Sequence, residues 1–252
     1  MSKHTEAFHA LHKNESPLFL FNVWDAGTAK IIGHSGADAV ATSSWSVAEA
    51  QGYSDGQAMP FNELLIVVKN IVNAVKIPVT VDFESGYADK IDDICKNFGA
   101  LIKAGISGVN FEDQNISAGG IVKSEYQAQR IRALRKKAND LDADIFINAR
   151  TDVFLQESDQ SKHAELTDEV IRRGLCYQEA GANGFFIPGT TDQYLIAKIC
   201  AAVSIPVNVM DLSDLPDLEA YSKMGVKRVS IGPKSWIDFN SGFKEKAEKS
   251  YK

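Results

Sequence analysis

Residues 78–87, PVTVDFESGY, decide the fold. They place a short apolar run directly before two acids, Asp82 and Glu84. Such a run is typical of a parallel strand buried on both faces. Residues 108–113, GVNFED, repeat the pattern and put Glu112 at the end of their run. Acids at the C-terminal ends of several strands converge in a barrel, and that face carries the active site in this architecture.

Eight short apolar runs alternate with longer amphipathic segments along the chain, which predicts a (β/α)8 TIM barrel. The predicted strands are Leu18–Val23, Ala39–Thr42, Val79–Phe83, Gly108–Phe111, Ile145–Asn148, Gly184–Ile187, Val207–Met210 and Arg228–Ile231. The predicted helices are Ala26–Ser35, Phe61–Val75, Lys90–Ala104, Ser124–Asn139, Thr167–Ala180, Asp192–Val203, Leu215–Met224 and one from Ser235 onward. An open doubly wound sheet is the alternative, but no phosphate-binding GxGxxG or GxxxxGK[ST] loop is present. No linker interrupts the pattern, so we expect one domain over residues 1–252.

The composition indicates a soluble protein whose partner is a small molecule. The 252 residues are 44% hydrophobic and 24% charged, and the net charge of −6 argues against a nucleic-acid partner. Three separated cysteines predict a reducing compartment without a disulfide framework. No signal-type or membrane-length apolar segment is seen, so we expect a cytoplasmic protein without a membrane partner.

Asp82 and Glu84 are two residues apart, so on an extended strand both would point the same way. With Glu112 they would form an acidic wall that needs a cation, and oxygen ligands favour a hard ion such as Mg²⁺, which Mn²⁺ could replace. A 2-oxo acid offers its carboxylate and keto oxygens to such an ion. The bound ion can then stabilise the enolate that forms when a bond to C3 breaks.

Two further groups of residues follow predicted strands. Arg150 carries a planar fork suited to a carboxylate or an enolate oxygen, although it could instead form a structural ion pair with Asp152. Ser43, Ser44 and Trp45 precede a helical turn, where hydroxyl and backbone N–H groups can clasp a carboxylate. Serines are also common as plain helix caps.

Glycines 119 and 120 lie in the loop after the fourth predicted strand. A glycine pair in a long loop at this position suggests a mobile lid that excludes water from the site.

Five segments together resemble the isocitrate lyase / phosphoenolpyruvate mutase superfamily. They are NVWDAGTAKII, AVATSSWSVAEAQGYSDG, PVTVDFESGY, GVNFED and INARTD, and the likeness runs from about Phe21 to Ile231. The resemblance implies a (β/α)8 barrel, a Mg²⁺-dependent site, and 2-oxo acid substrates or their enol forms. It also implies C–C or P–C bond chemistry at C3.

By position, the resemblance implies a role for each candidate residue. Ser43, Ser44 and Trp45 would bind the substrate carboxylate, and Asp55 would match the family's aspartate beside the reacting group. The metal would be held by Asp82, Glu84 and Glu112, and Arg150 would bind substrate and stabilise the enolate.

The chain departs from the family in four ways, and one is that it carries only Asn115 of the Lys-Thr-Asn lid pattern of the mutase and phosphonopyruvate hydrolase type. It has no cysteine in the lid, where isocitrate and methylisocitrate lyases carry a KKCGH motif, and this disfavours lyases that use that thiol. Glu84 stands where the family has an aspartate, a longer arm that would suit contact through water. The resemblance implies a homodimer or homotetramer with an exchanged C-terminal helix, but the segment after the last predicted strand is short for that exchange.

We therefore expect a Mg²⁺-dependent enzyme that breaks or rearranges a bond to C3 of a small 2-oxo acid, with oxaloacetate-like or phosphonopyruvate chemistry as the leading candidates. Two alternatives stay open. The chain could be a catalytically inactive barrel that binds a 2-oxo acid, or a class II aldolase-type enzyme that joins pyruvate to an aldehyde.

Overall fold

In the computed structural model, which describes residues 2–251, parallel strands form a barrel surrounded by helices. The strands are β1 (Leu18–Leu20), β2 (Asn22–Val23), β3 (Val40–Thr42), β4 (Val79–Asp82), β5 (Gly108–Glu112), β6 (Phe146–Arg150), β7 (Gly184–Phe186), β8 (Val207–Met210) and β9 (Val226–Ser230). The α-helices are α1 (Lys3–Leu11), α2 (Ala26–His34), α3 (Ser44–Ala50), α4 (Phe61–Ala74), α5 (Ile91–Lys103), α6 (Ser124–Asp140), α7 (Val153–Gln156), α8 (His163–Glu179), α9 (Gln193–Ala202), α10 (Leu218–Lys223) and α11 (Lys234–Ser250). A short 3₁₀ helix covers Gln160–Lys162.

The barrel closes through its first strand, which is split in two. β1 pairs with β9 and β2 pairs with β3, both in parallel, and Phe21 alone separates the two pieces. Every other strand pairs in parallel with its neighbours in chain order. The (β/α)8 barrel predicted from the sequence is therefore confirmed, with one predicted strand, Leu18–Val23, broken at the point where it changes partner.

Helices α5 and α8 each end shortly before a glycine. Gly105 and Gly181 come just after α5 and α8 and have φ of +92° and +97°, a left-handed conformation that ends a helix at little cost only for glycine. The sequence did not predict α1 or α7, and it reduced α3 to a helical turn followed by a long loop. These three helices are short, so their apolar periodicity is weak.

The two ends of the barrel differ in character. At the N-terminal end, α1 closes the barrel by packing Phe8 and His12 on Phe146, with ring centroids 5.5 Å and 4.0 Å apart. At the C-terminal end, loops surround a cavity into which several carboxylates face.

None of the described helices is both long enough and apolar enough to cross a membrane.

Candidate active site

This cavity lies at the carboxyl ends of the strands and has a volume of about 300 Å³. Four carboxylates line it, from Asp55, Asp82, Glu84 and Glu112, with Arg150 as the cation among its lining residues. Its other polar lining residues are Asn22, Ser43, Ser44, Asn110, Gln114 and Ser230, and its apolar ones include Trp45, Leu155, Phe186, Met210 and Leu212. All the site residues predicted from the sequence therefore line one cavity.

Asp82 is the last residue of β4 and is buried. Its Oδ2 accepts a hydrogen bond from the backbone N–H of Ser44 at 3.2 Å and lies 3.9 Å from Nη1 of Arg150. Its Oδ1 is buried and has no hydrogen-bond partner. An unpartnered carboxylate oxygen in a buried site is costly unless a ligand or a cation completes it.

Glu84 reaches the same cavity by a different route from the one predicted. The strand ends at Asp82, and Glu84 has a φ of +47°, so the two acids do not share one extended strand as the sequence suggested. A turn, rather than the two-residue strand repeat, aims Glu84 into the cavity. Burial, together with repulsion from Asp82 and Asp55, raises the pKa of Glu84 to about 8, although the hydroxyl of Tyr87 donates a hydrogen bond to it.

Glu112 and Arg150 end the paired strands β5 and β6 and are register partners. Nη1 of Arg150 lies 3.0 Å from Oε2 of Glu112, while Nε and Nη2 donate to the carboxylate of Asp152 at 2.6 and 2.9 Å. Burial raises the pKa of Glu112 well above its usual value, and Arg150 opposes that shift. Burial disfavours the charge on Arg150, but Glu112, Asp152 and Asp82 outweigh it and raise the pKa of Arg150.

A buried network that the sequence did not predict holds Asp152 in place. Asp113 accepts hydrogen bonds from the backbone N–H of Asp152 at 3.0 Å and from the hydroxyl of Thr151 at 2.7 Å. It also accepts from Nη1 of Arg173 at 2.8 Å and from the hydroxyl of Tyr177 at 2.7 Å, both on α8. Helix α8 therefore fixes the carboxylate that orients the guanidinium of Arg150.

The serine segment forms the start of α3. The hydroxyl of Ser43 accepts from the backbone N–H of Ser46 at 3.4 Å, so it caps the helix. The backbone N–H of Ser44 donates to Asp82. Ser43, Ser44 and Trp45 all line the cavity, and Trp45 is 41% exposed. This segment therefore caps the helix and also forms part of the cavity wall. Its binding of a substrate carboxylate stays a prediction.

Asp55 lies in the loop after α3, at the mouth of the cavity. Partial burial and the negative charge of Asp82 raise the pKa of Asp55, against hydrogen bonds from Gly56 and Ser44. This carboxyl group therefore keeps a proton at higher pH than an ordinary aspartate. Its resemblance-based role beside the reacting group stays a prediction.

The acids fit a hydrated divalent cation better than a fully protein-ligated one. Among residues 2–251, no three Asp, Glu, His or Cys side chains come together closely enough to ligate one ion directly. Asp82 nevertheless offers a buried, unpartnered oxygen, with Glu84 and Glu112 lining the same cavity. Mg²⁺ commonly keeps several waters and takes only one or two carboxylates from the protein. The residues present therefore fit such an ion held by Asp82, with the other two acids acting through water.

The loop between β5 and α6 covers one side of the cavity, where the sequence predicted a lid. Gln114 forms an antiparallel bridge with Ile121, and its side-chain amide donates to Asp152. At the far end of the loop, the backbone oxygen of Val122 accepts from Nη1 of Arg173 at 2.9 Å. Both ends of the loop are thus tied to the network that supports Arg150, and its mobility stays a prediction.

Among the cavity and support residues missed at the sequence level are Asn110, Tyr87 and Asp113. Asn110 precedes Glu112 by two residues on one strand, so the strand repeat could have found it. Tyr87 and Asp113 gave no such signal, because their importance depends on partners contributed by the fold: the turn at Glu84 and the distant helix α8.

A (β/α)8 barrel with an acidic, arginine-containing cavity at the carboxyl ends of its strands defines the class of TIM-barrel enzymes. The sequence model described as "Phosphoenolpyruvate phosphomutase" matches residues 8–250. The chain belongs to this family, and its characterised relatives are lyases and phosphomutases.

Three similar proteins illustrate the range of activities in the names of its relatives. A crystal structure of a Burkholderia cenocepacia protein provisionally classed as a phosphonomutase is 39% identical, superposes with a TM-score of 0.94, and covers 98% of this chain and 100% of that one. The 2-methylisocitrate lyase of Escherichia coli is 27% identical over 86% of this chain and 74% of its own length. The oxaloacetate decarboxylase of Ectopseudomonas mendocina is 25% identical over 90% and 77%, respectively.

Proposed function

We propose that this chain is a divalent-cation-dependent enzyme that breaks or rearranges a C–C or P–C bond at C3 of a small 2-oxo acid through an enolate. The observation that carries the proposal is the buried cluster of Asp82, Glu84 and Glu112 around Arg150 in one cavity. Relatives in the same family act on 2-methylisocitrate and oxaloacetate, as their names state.

The charge balance of the cavity explains why a cation is required. Four carboxylates line the cavity, with Arg150 as their cation. That guanidinium is already engaged by Asp152 and Glu112. A 2-oxo acid is itself an anion, so this lining would repel it in the absence of an added positive charge. Mg²⁺, held by Asp82, would supply that charge and polarise the keto oxygen of the substrate.

The remaining roles belong to the protein's own side chains. Arg150 presents Nη1 to the cavity, where it can share its charge between Glu112 and an oxygen of the substrate that becomes negative in the enolate. Asp152 fixes the plane of the guanidinium through two hydrogen bonds, so this donor is oriented before substrate arrives.

Substrate orientation would come from the α3 side of the cavity. Ser43, Ser44 and Trp45 offer hydroxyl and indole groups to the carboxylate end of the substrate. Asp55 would lie beside the reacting carbon and take part in the proton transfer that accompanies collapse of the enolate.

The cavity also bears on the kind of substrate. A volume of about 300 Å³ is at the small end of the range for ligand sites, which suits an acid of oxaloacetate or phosphonopyruvate size. The described cysteines lie on the outer helices α5, α8 and α9, and none lines the cavity. We therefore favour decarboxylation, hydrolysis or phosphonopyruvate chemistry over thiol-assisted lysis of a methylisocitrate-like acid.

The experiment is a proton and phosphorus NMR time course on oxaloacetate, phosphonopyruvate and methylisocitrate, with Mg²⁺ or with EDTA. We expect loss of one compound with Mg²⁺ and none above background with EDTA. Asp82→Asn should abolish turnover, because it removes the charge that holds the cation. Asp93→Asn, a matched change at an exposed acid on α5, should leave turnover intact.

Three results would overturn the proposal. Turnover that Asp82→Asn leaves unchanged would remove the acid cluster from the chemistry. Silence across the panel, with 2-oxo acid binding seen by calorimetry, would favour the binding barrel. Release of pyruvate and an aldehyde from a hydroxy-oxo acid would instead identify an aldolase.

A further inference from the structure

Arg228 lies inside the barrel, directly beneath the cavity. It is on β9, is 1% exposed, and does not line the cavity itself. Its Nη2 reaches across the barrel to donate to Oδ1 of Asn110 on β5 at 3.2 Å, and its Nε donates to the hydroxyl of Ser230 at 3.3 Å. Asn110 and Ser230 both line the cavity. Arg228 therefore supports the cavity floor from below.

The charge of Arg228 is not neutralised by an ion pair. No carboxylate within residues 2–251 forms a salt bridge with it, and its Nη1 is buried without a hydrogen-bond partner. The acid that acts on it most strongly is Asp82, the register partner of Asn110 in the β4–β5 pair. The positive charge of Arg228 therefore acts on Asp82, the acid that would hold the cation.

Within residues 2–251, no acid at the N-terminal end of the barrel pairs with this charge. His12 lies on that side, buried, and its Nδ1 donates to the backbone oxygen of Phe8 at 2.8 Å, which leaves Nε2 without a proton and without a partner. Burial and the nearby charge of Arg228 lower the pKa of His12 to about 3, so it stays neutral.

We propose that Arg228 is a positioning residue whose fixed, buried positive charge sets the balance between cation and anion binding in the cavity above it. The charge weakens binding of a divalent cation by the acids and strengthens binding of an anionic substrate. The inference rests on the proposed function, since it takes the cavity to hold a cation and an anionic 2-oxo acid.

The burial of this charge is itself an indication of a role other than stability. Desolvation lowers the pKa of Arg228 to about 9, so the folded protein holds the charge at a cost. A hydrophobic side chain of similar volume in place of a buried charge is often neutral or stabilising. Arg228→Met should therefore fold, and a retained thermal midpoint would confirm this.

The test compares cation and anion binding in Arg228→Met and wild type. Cation binding is measured with Tb³⁺, a hard ion for oxygen ligands, through luminescence sensitised by Trp45 and displaced by Mg²⁺. Anion binding is measured by calorimetry with oxalate at saturating Mg²⁺. We expect Tb³⁺ to bind about tenfold more tightly and oxalate about tenfold more weakly, as the loss of one partly screened charge at this range predicts.

Two variants serve as controls. Arg228→Lys keeps the charge and should restore both affinities toward wild type. Arg135→Met makes the same change at a partly buried arginine on α6, outside the barrel, where it contacts Gly181 and Asn183, and should change neither.

The opposite signs are decisive, because a merely structural role would weaken both ligands together. Unchanged affinities in Arg228→Met, or equal weakening of both, would overturn the inference. If wild type binds Tb³⁺ but no oxalate, the proposed substrate class fails, and the Tb³⁺ comparison still decides the role of Arg228. If wild type binds neither probe, the inference falls together with the proposed function.

Discussion

The guanidinium of Arg150 contacts two different acids, Asp152 and Glu112. Nε and Nη2 are fixed by Asp152, and Nη1 is shared with Glu112 at the cavity wall. The ion pair with Asp152 and the catalytic role were alternatives at the sequence level, and the geometry allows both. A fork with several donors can be anchored on one side and still present a donor on the other, which a lysine could not do.

Glu84 is the residue at which pH should act most visibly on the metal-free protein. Its pKa is raised from 4.5 to about 8, so between these values the folded state holds a proton that the unfolded chain releases. Stability must therefore fall as pH rises through this window. We expect Glu84→Gln, in EDTA, to raise the thermal midpoint at pH 8 by about 5 °C and to flatten its decline between pH 5 and 8.

Thermal unfolding followed by circular dichroism at several pH values checks this. Some decline should remain in the variant, because the pKa of Glu112 is also raised. Glu49→Gln, at an exposed position on α3, should behave as wild type. An identical pH profile for Glu84→Gln and wild type would show that Glu84 carries no such shift.

Sequence reasoning succeeded at this scale where an acid directly ends a strand. Asp82 and Glu112 follow apolar runs, so their place at the carboxyl ends could be predicted. Glu84 was predicted in the right cavity for the wrong reason, because a turn with positive φ cannot be inferred from a two-residue spacing. Asn110 could have been predicted from the same strand repeat as Glu112.

At the scale of elements, helix α8 supports the site from outside the barrel. Tyr177 donates to Asp113 at 2.7 Å and accepts from Nη1 of Arg173 at 3.0 Å, all in a buried setting. Tyr177→Phe removes these bonds and leaves buried groups less well paired. We expect it to lower the free energy of unfolding by about 1–3 kcal/mol.

Urea unfolding followed by fluorescence measures this change. Tyr194→Phe on α9, whose side chain is 76% exposed, is the matched control and should unfold at the wild-type midpoint. A Tyr177→Phe midpoint equal to wild type would mean that α8 does not hold Asp113 in the way described.

The elements themselves were predictable wherever a run was long or sharply bounded. The predicted strand Val207–Met210 is found unchanged as β8, and α4 and α5 begin and end within a residue or so of the predicted bounds. The split of the first strand was not predictable, because it follows from barrel closure and not from local sequence. The α8 network was not predictable for a similar reason, because Asp113 lies about sixty residues before Arg173 and Tyr177 in the chain.

At the scale of the whole molecule, the oligomeric state and the net charge both bear on the site. The expected homodimer or homotetramer stays a proposal, and the exposed aromatic side chains of Phe239 and Phe243 on α11 give it a candidate surface. The net charge of −6 makes the surroundings of the cavity unfavourable for an anion as well. The proposed function therefore depends on a cation that reverses the local sign of charge.

The most direct measurement is a calorimetric titration of oxalate into the wild-type protein, once with Mg²⁺ and once with EDTA. Oxalate is a small dianion with two oxygens placed to chelate, like the enolate of a 2-oxo acid. The proposed function predicts binding with Mg²⁺ and none with EDTA, because Asp82, with its buried unpartnered oxygen, then faces the anion while Arg150 is already engaged by Asp152 and Glu112. Equal binding in EDTA would contradict it and would make the cavity an anion site that needs no cation.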